Sequence, residues 1–342
     1  VCSSDLLNQN WTRYLSEQRR KAKQDNNWGL ERNVKAAYNI LDSIGLDETS
    51  DTNQVIQQVA EKFFNEDNCD IEDCIRLAQL AATLGASVSD DFQFVTRDGY
   101  RRLVSDSIVY DVQGNLDVFV SSQWYKEHAL HEDYRVLLSC TEEDWRQWVT
   151  SGRSGILPFV PLVQTKQHLW NRTRIREFLC GRGFSGNPNF PYQRDDFTIE
   201  DWDFEEEHWR FWHQSAENDA EFWGHVFTRI LAQSKEYWAK SVSAKVWHNA
   251  IKYKQLVARE DLLPSWVVKF SALPCLQDTR GHYRHPAELL CRTPDTEALL
   301  DVEPFVRAEL DTEANRQLLV LLGVRDMPTG PDRLLDRLQA LS

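Results

Sequence analysis

Residues 92–104, FQFVTRDGYRRLV, mark the place where the chain changes its period. Upstream, apolar residues recur at helical spacing. Here Phe92 and Phe94 alternate with polar neighbours, Arg97-Asp98-Gly99 supplies a turn, and Tyr100 to Val104 continues beyond it. A spacing of two puts successive side chains on opposite faces of a strand, so the stretch predicts a β-hairpin. Ile108 to Asp111, the turn formers Gln113-Gly114-Asn115, and then Leu116, Val118 and Val120 predict a second hairpin directly after it. Helices that give way to hairpins make the fold class α+β, an N-terminal helical bundle followed by repeated hairpin-plus-helix units.

Working outward, residues 1–88 read as a helical domain. Val34, Ala37, Tyr38 and Leu41 share a stripe that stops at Gly45, and Val55, Ile56, Val59 and Phe63 form another behind Asp51 and Thr52. Asp70 caps a helix carrying Ile71, Cys74, Ile75, Ala78 and Ala81, and Gly85 suits a left-handed stop. Residues 89–163 form an α+β unit: after the hairpins come a short helix at Trp124 to Leu130 and a helix bearing Trp145, Trp148 and Val149, capped by Thr141 with Asp144. Residues 164–258 form a helix-rich α+β unit with an aromatic cluster. It begins with a helix over Thr165 to Cys180 and a Gly- and Pro-rich loop at 181–191. A strand at Phe197 and Ile199 follows, then Trp209, Phe211 and Trp212, an apolar helix face from Phe222 to Leu231, and a hairpin turning at His248-Asn249.

Residues 259–342 form a C-terminal hairpin-helix unit: a helix at Pro264 to Phe270, a hairpin from Leu276 to Tyr283 around Thr279-Arg280-Gly281, and a Pro286-started helix. A helix capped by Asp311 then ends at Gly323, and Pro331 opens a last one. Phe94–Leu103, Val109–Val118 and Leu276–Leu289 share one form, an apolar strand, a Gly-containing turn and a second strand, which is a weak internal repeat.

Charge narrows the function classes. Lys and Arg number 39 against 53 Asp and Glu, a formal charge of -14, which disfavours general wrapping of nucleic acid. No apolar run reaches the length of a membrane span and no signal pattern opens the chain, so no membrane partner and a cytoplasmic location are expected. Seven scattered Cys fit reduced packing residues, and Val1 opening within a helical pattern, with Met327 the only Met, suggests a piece of a larger protein.

Most chemistry-bearing clusters have a simpler structural reading. Gly152 to Gly155 lacks the Lys of a phosphate loop, and there is no GxGxxG turn. His128, His131 and Glu132 would need i, i+4 spacing and a further ligand to make a metal site, and His282 and His285 fall on opposite strand faces. Neither a metal nor a cofactor is expected, and no catalytic residue is assigned. Asp201, Asp203, Glu205, Glu206 and Glu207 read as a solvated face complementing a helix dipole, and Trp202, Trp209, Trp212 and Trp223 as packing anchors. The densest basic stretch is Arg172, Arg174, Arg176, Arg182 and Arg194, with Lys166, running among Phe184, Phe190 and Tyr192. Basic groups among aromatics suit an acidic partner or a single strand, although pairing with the chain's surplus acids competes with that use.

In the C-terminal third, Leu263-Pro264-Ser265-Trp266, Leu273-Pro274-Cys275-Leu276, Asp278, Gly281 and Pro286-Ala287-Glu288-Leu289 resemble sacsin-like repeat regions. The ending Leu321-Leu322-Gly323-Val324, with Thr329 and Leu334 to Leu341, resembles the close of such a unit. The likeness is strongest over 260–342 and looser over 90–260. It implies a segment of a large protein whose ATP-binding domain is similar to that of the ninety-kilodalton heat-shock chaperone, with bacterial relatives associated with phage defence. The ATPase motifs are not in this chain, since Asp98-Gly99 lacks the second Gly of a DxGxG turn, so the resemblance carries over no active residue. The expectation is a non-catalytic interaction or regulatory segment of a larger ATPase. Its partner would be protein, the remainder of that ATPase chain, or nucleic acid through the local basic stretch. A metal-dependent nuclease or other hydrolase is the alternative, and a structural spacer a third reading.

Overall fold

The computed structural model describes residues 20–21, 23–24, 52–64, 70–136, 140–179, 197–233, 235–249, 256–299 and 303–327. The protein mixes helix with sheet and divides into two compact units, one of residues 1–117 and 122–159, the other of residues 118–121 and 160–342. The expected helices over 34–41 and after Pro331 lie outside the described residues. Among the described residues no helix is long and apolar enough to cross a membrane.

In the first unit, α1 (Thr52–Phe64) and α2 (Ile71–Thr83) share one core with the hairpin β1 (Gln93–Val95) and β2 (Arg101–Leu103). Asp70 caps α2 by accepting the Asp73 amide at 2.8 Å, and Gly85 adopts φ 58° after its end. Beyond the hairpin lie α3 (Ser122–His128) and α4 (Glu142–Thr150), the latter capped by Thr141. Phe94, Tyr134, Trp145 and Trp148 close the core, with the Trp148 indole donating to the Ala86 carbonyl at 2.6 Å. Residues 109–118 are not the expected second hairpin. Asp111 accepts the amides of Gly114, Asn115 and Leu116 at 2.9, 3.2 and 3.1 Å, which turns the chain into a 3-10 helix over Leu116–Val118.

In the second unit, four antiparallel strands stand in sequence order: β3 (Val163–Thr165), β4 (Phe197–Asp203), β5 (Ala244–Asn249) and β6 (Leu256–Leu262). The expected helix over 165–180 is shorter. Val163–Thr165 pairs with β4, and α5 (Arg172–Leu179) starts only where Asn171 caps it by accepting the Arg174 amide at 2.9 Å. The β5–β6 pair is a hairpin, but His248 and Asn249 lie within its first strand and not at a turn. Next to the sheet, α6 (Glu206–Asn218), α7 (Phe222–Leu231), α8 (Lys235–Ala239) and α9 (Ser265–Ser271) gather an aromatic core. Phe204, Trp209, Trp212, Trp223, Phe227 and Phe270 meet there with centroid separations down to 5.0 Å, so those three tryptophans are packing anchors.

The hairpin β7 (Leu276–Gln277) and β8 (Tyr283–Arg284) turns at Gly281, φ 87°. After it Pro286 opens a 3-10 helix of three residues, and α10 (Glu313–Leu321) is capped by Thr312 instead of Asp311. The Asp311 carboxylate accepts the Arg292 amide at 2.6 Å and pairs with Arg316 at 2.7 Å.

The hairpins of the two units carry the same backbone hydrogen bonds. Arg97 N–H donates to Ala129 O at 3.0 Å, and Thr279 N–H to Phe305 O at 3.0 Å. Leu130 N–H donates to Val109 O at 3.0 Å and Val306 N–H to Leu290 O at 2.9 Å; Leu157 N–H donates to Ile108 O at 2.8 Å and Arg325 N–H to Leu289 O at 3.1 Å. Both arrangements contain a 3-10 helix after the hairpin (Val104–Asp106; Pro286–Glu288), a Thr-capped helix, and a left-handed Gly beyond it (Gly152; Gly323). Phe94–Leu103 and Leu276–Leu289 therefore correspond, and Val109–Val118 does not belong with them.

Candidate interaction surface

Among the clusters that could carry chemistry, most are committed to structure. In the first unit the His128 ring stacks on Trp124 at 4.4 Å and its Nδ1 lies 2.9 Å from Asp106 O; His131 Nδ1 accepts the Asp133 amide at 3.3 Å; Glu132 stands 3.9 Å from Arg97. His282 faces Asp278 at 3.7 Å, and His285 precedes the 3-10 helix. No group of three His, Cys, Asp or Glu able to hold a metal ion occurs among the described residues. Burial pushes the Cys140 thiol up to about 11 and Cys291 up to about 12, and moves Cys275 further in the same direction, which leaves these thiols poor nucleophiles.

The acidic run is split and not a single solvated face. Glu205, Glu206 and Glu207 are exposed at the start of α6, as the dipole argument requires, but Asp201 is fully buried. Asp201 Oδ1 accepts the Ser265 amide at 3.0 Å and the Trp202 amide at 2.8 Å, and Oδ2 accepts the Ser265 hydroxyl. Burial pushes its carboxyl above the ordinary range, and the Ser265 bonds oppose that shift. Asp203 accepts the Trp209 indole N–H at 2.9 Å and pairs with Lys269 at 2.5 Å, whose ammonium also lies 4.6 Å from the Trp209 ring centroid.

The basic stretch is the remaining candidate. Arg182 and Arg194, and with them Phe184, Phe190 and Tyr192, lie outside the described residues. Arg172, Arg174 and Arg176 are all exposed on α5, while Ile175 and Leu179 turn inward against Ile199, Ala244, Val246 and Leu262. Among the described residues Arg174 and Arg176 make no ion pair, and Arg174 instead lies over Trp170. The three arginines do not share one face. At about 100° per residue, Arg172 and Arg176 stand on one flank and Arg174 about 200° from Arg172 on the other. The stacking contacts agree with that placement: Arg172 lies 5.3 Å from the centroid of the Phe197 ring, and Arg174 lies 4.3 Å from that of Trp170.

The flank bearing Arg174 is continuous with the segment before α5. His168 Nε2 lies 2.9 Å from Leu263 O, its Nδ1 accepts the Trp170 amide at 3.0 Å, and the Leu169 amide donates to Ser265 Oγ at 2.7 Å. Through Ser265 the buried Asp201 fixes residues 168–170 onto the junction of β6 and α9. Leu169 is 50% exposed and Leu263 38%, although both are aliphatic; Lys166, three residues before Leu169, and Asp261, two residues before Leu263, are exposed as well. Leu169 and Trp170 gave no periodic signal in the sequence, and only the hydrogen bonds to 263–265 bring them to this place. Neither protein-family models nor searches of curated proteins and of solved structures gave a match.

Proposed function

We propose that the chain is a non-catalytic interaction or regulatory segment of a larger sacsin-like ATPase, assembled from repeated hairpin-plus-helix units, and that α5 and the residues leading into it contact a protein partner. Anti-phage defence is the setting that the resemblance implies. The repeat reading is supported by the shared hydrogen-bond pattern of residues 94–157 and 276–325. The observation that carries the interaction reading is the surface of α5, where exposed guanidinium groups rest on aromatic rings and two of the three carry no ion pair among the described residues. Arginine held this way is poised for carboxylate or phosphate at low entropic cost, because the ring limits its motion in advance. Among the residues a hydrolase would have drawn on, His128 contacts the Asp106 carbonyl, His131 caps a 3-10 helix and Asp201 is committed to Ser265 in the core.

The test has two arms. The purified chain should turn over neither ATP nor single- or double-stranded nucleic acid in the presence of Mg²⁺, Mn²⁺ or Zn²⁺; turnover that follows the protein through purification would replace this reading with the hydrolase one. In the second arm the chain is added to the ATPase domain of a sacsin-like protein. Modulated hydrolysis that is lost in R172Q/R174Q/R176Q is the expected result, and an unchanged effect of the triple variant would make the chain a spacer.

A further inference from the structure

His168 ties the segment between β3 and α5 to the junction of β6 and α9, and both of its ring nitrogens face backbone groups. Nε2 lies 2.9 Å from the Leu263 carbonyl oxygen, and Nδ1 accepts the Trp170 amide at 3.0 Å. A carbonyl oxygen only accepts and an amide only donates, so the two partners fix the protons of the ring: Nε2 carries hydrogen and Nδ1 keeps its lone pair. The imidazole is therefore neutral and held as one tautomer. A proton arriving from solvent has only the Nδ1 lone pair to take, and there it meets the Trp170 N–H, donor against donor. Trp170 is the residue at stake. Its ring packs against Phe178 of α5 with centroids 6.0 Å apart and carries the Arg174 guanidinium at 4.3 Å, and Asn171 next to it caps α5.

We infer that His168 is a proton-operated clasp on the start of α5: neutral, it closes on the Trp170 amide; protonated on Nδ1, it lets that amide go while Nε2 keeps its bond to Leu263. Asp201 of β4 is the charged group that acts on the ring. Its buried carboxylate and a positive charge on His168 favour one another, so the fold tolerates the imidazolium and the change falls on Trp170. Asp201 itself stays in place, because the amides of Trp202 and Ser265 and the Ser265 hydroxyl all donate to it. The Leu169 amide donates to Ser265 Oγ at 2.7 Å, a bond in which no titrating atom takes part, so the segment remains docked there and the release is confined to Trp170. The other charges on the neighbouring elements are directed elsewhere or exposed: Lys166 in the same segment is exposed, Arg174 of α5 lies on Trp170, and Asp261 of β6 accepts the Ser243 hydroxyl at 3.1 Å. The clasp does not depend on what α5 binds.

The experiment is nuclear magnetic resonance on the intact, nitrogen-15-labelled chain from about pH 8 to about pH 5, the interval in which histidine ordinarily titrates. At the alkaline end the His168 ring should show a protonated Nε2 and a bare Nδ1. As the pH falls, the Trp170 amide signal should move with the same midpoint as the His168 ring. Its protection against hydrogen exchange, corrected for the pH dependence of exchange itself, should drop about fivefold, the loss of one hydrogen bond, while that of Leu169 changes less than about twofold. H168Q should leave the Trp170 amide without this titration, and D261N should leave it intact. A ring protonated on Nδ1 at the alkaline end would overturn the inference on the parent chain alone, so the test stands even where H168Q fails to fold. A Trp170 amide that ignores the His168 titration, or one that titrates equally in H168Q, would overturn it as well.

Discussion

Gly224 in α7 faces the ring of Tyr283 from β8, and this contact makes one substitution decisive. A Cβ built on Gly224 would lie 1.8 Å from Tyr283 Cε1, 2.1 Å from Cδ1 and 2.6 Å from Cζ. Carbon atoms pack at about 3.5–4.0 Å, so the ring would have to retreat by about 1.7 Å, and an aromatic ring moves only as a rigid plate. Tyr283 is paired with Gln277 in the hairpin and half-buried, so a retreat of its ring gives up the packing it makes against α7. Overpacking of this kind costs about 1–3 kcal/mol, and so close an approach belongs at the upper end. Against it stands the helix propensity of alanine over glycine, about 1 kcal/mol. Gly224→Ala should therefore destabilise the second unit by about 2 kcal/mol in urea titrations followed by tryptophan fluorescence. In a Tyr283→Ala background the clash is gone and only propensity remains, so the same substitution should stabilise by up to about 1 kcal/mol. A Gly224→Ala protein as stable as the parent, or an equal penalty in both backgrounds, would refute the reasoning.

Further outcomes follow from buried polar groups. Asp278 accepts the amides of Arg280 and His282 at 2.8 and 2.9 Å and Arg284 Nε at 2.7 Å with its side chain 0% exposed, whereas Asp98, its counterpart beside the other hairpin turn, is 18% exposed. Asp278→Ala should cost about 3 kcal/mol and Asp98→Ala clearly less, again read from urea midpoints. Burial alone would raise the Asp278 carboxyl, but Arg284 and the two amides outweigh it and hold it below the usual range. A depressed folded value means stability that is present above the unfolded value of about 3.9 and lost as pH falls through the folded one, so the gap between parent and Asp278→Asn should narrow only in strong acid. The fully buried Cys275 and Cys291 thiols should react with a thiol reagent at mildly alkaline pH only as fast as the protein opens, as mapped by mass spectrometry. Rapid labelling of native Cys291, whose thiol is pushed up to about 12, would contradict its burial.

The parts of the fold that were legible in the sequence are those governed by short-range chemistry. The Asp70 cap, the left-handed Gly85, the Arg97-Asp98-Gly99 turn and the hairpin at Gly281 all follow from residues within five positions of one another. The failures share the opposite property. Gln113-Gly114-Asn115 looks like a hairpin turn, yet Asp111, only a few residues before it, captures the amides that a second strand would have used. Val163–Thr165 reads as the approach to a helix, but β4 offers it an edge from some forty residues away, and tertiary pairing overrides local preference. Thr312 and Asp311 compete for one cap, and the choice turns on Arg292 and Arg316, which hold Asp311 elsewhere.

The same distinction explains why the basic stretch was visible in the sequence while its arrangement was not. Arginines at 172, 174 and 176 look like one patch when written in a line, and on a strand they would be one, since every second residue shares a face. On a helix the same spacing scatters them, because two residues advance the chain about 200° round the axis. Asn171 accepting the Arg174 amide makes this segment helical, and the apolar Ile175 and Leu179 fix which side faces the sheet. Arg174 is then left over Trp170, with Leu169 beside it, and Arg172 and Arg176 fall on the far flank. A composition-based patch of equal cations should lose binding in equal steps as each arginine is replaced. A surface divided by the helix should instead show Arg172 and Arg176 behaving alike and Arg174 apart from them, so single substitutions read as modulation of the ATPase domain discriminate between the sequence order of these charges and their order in space.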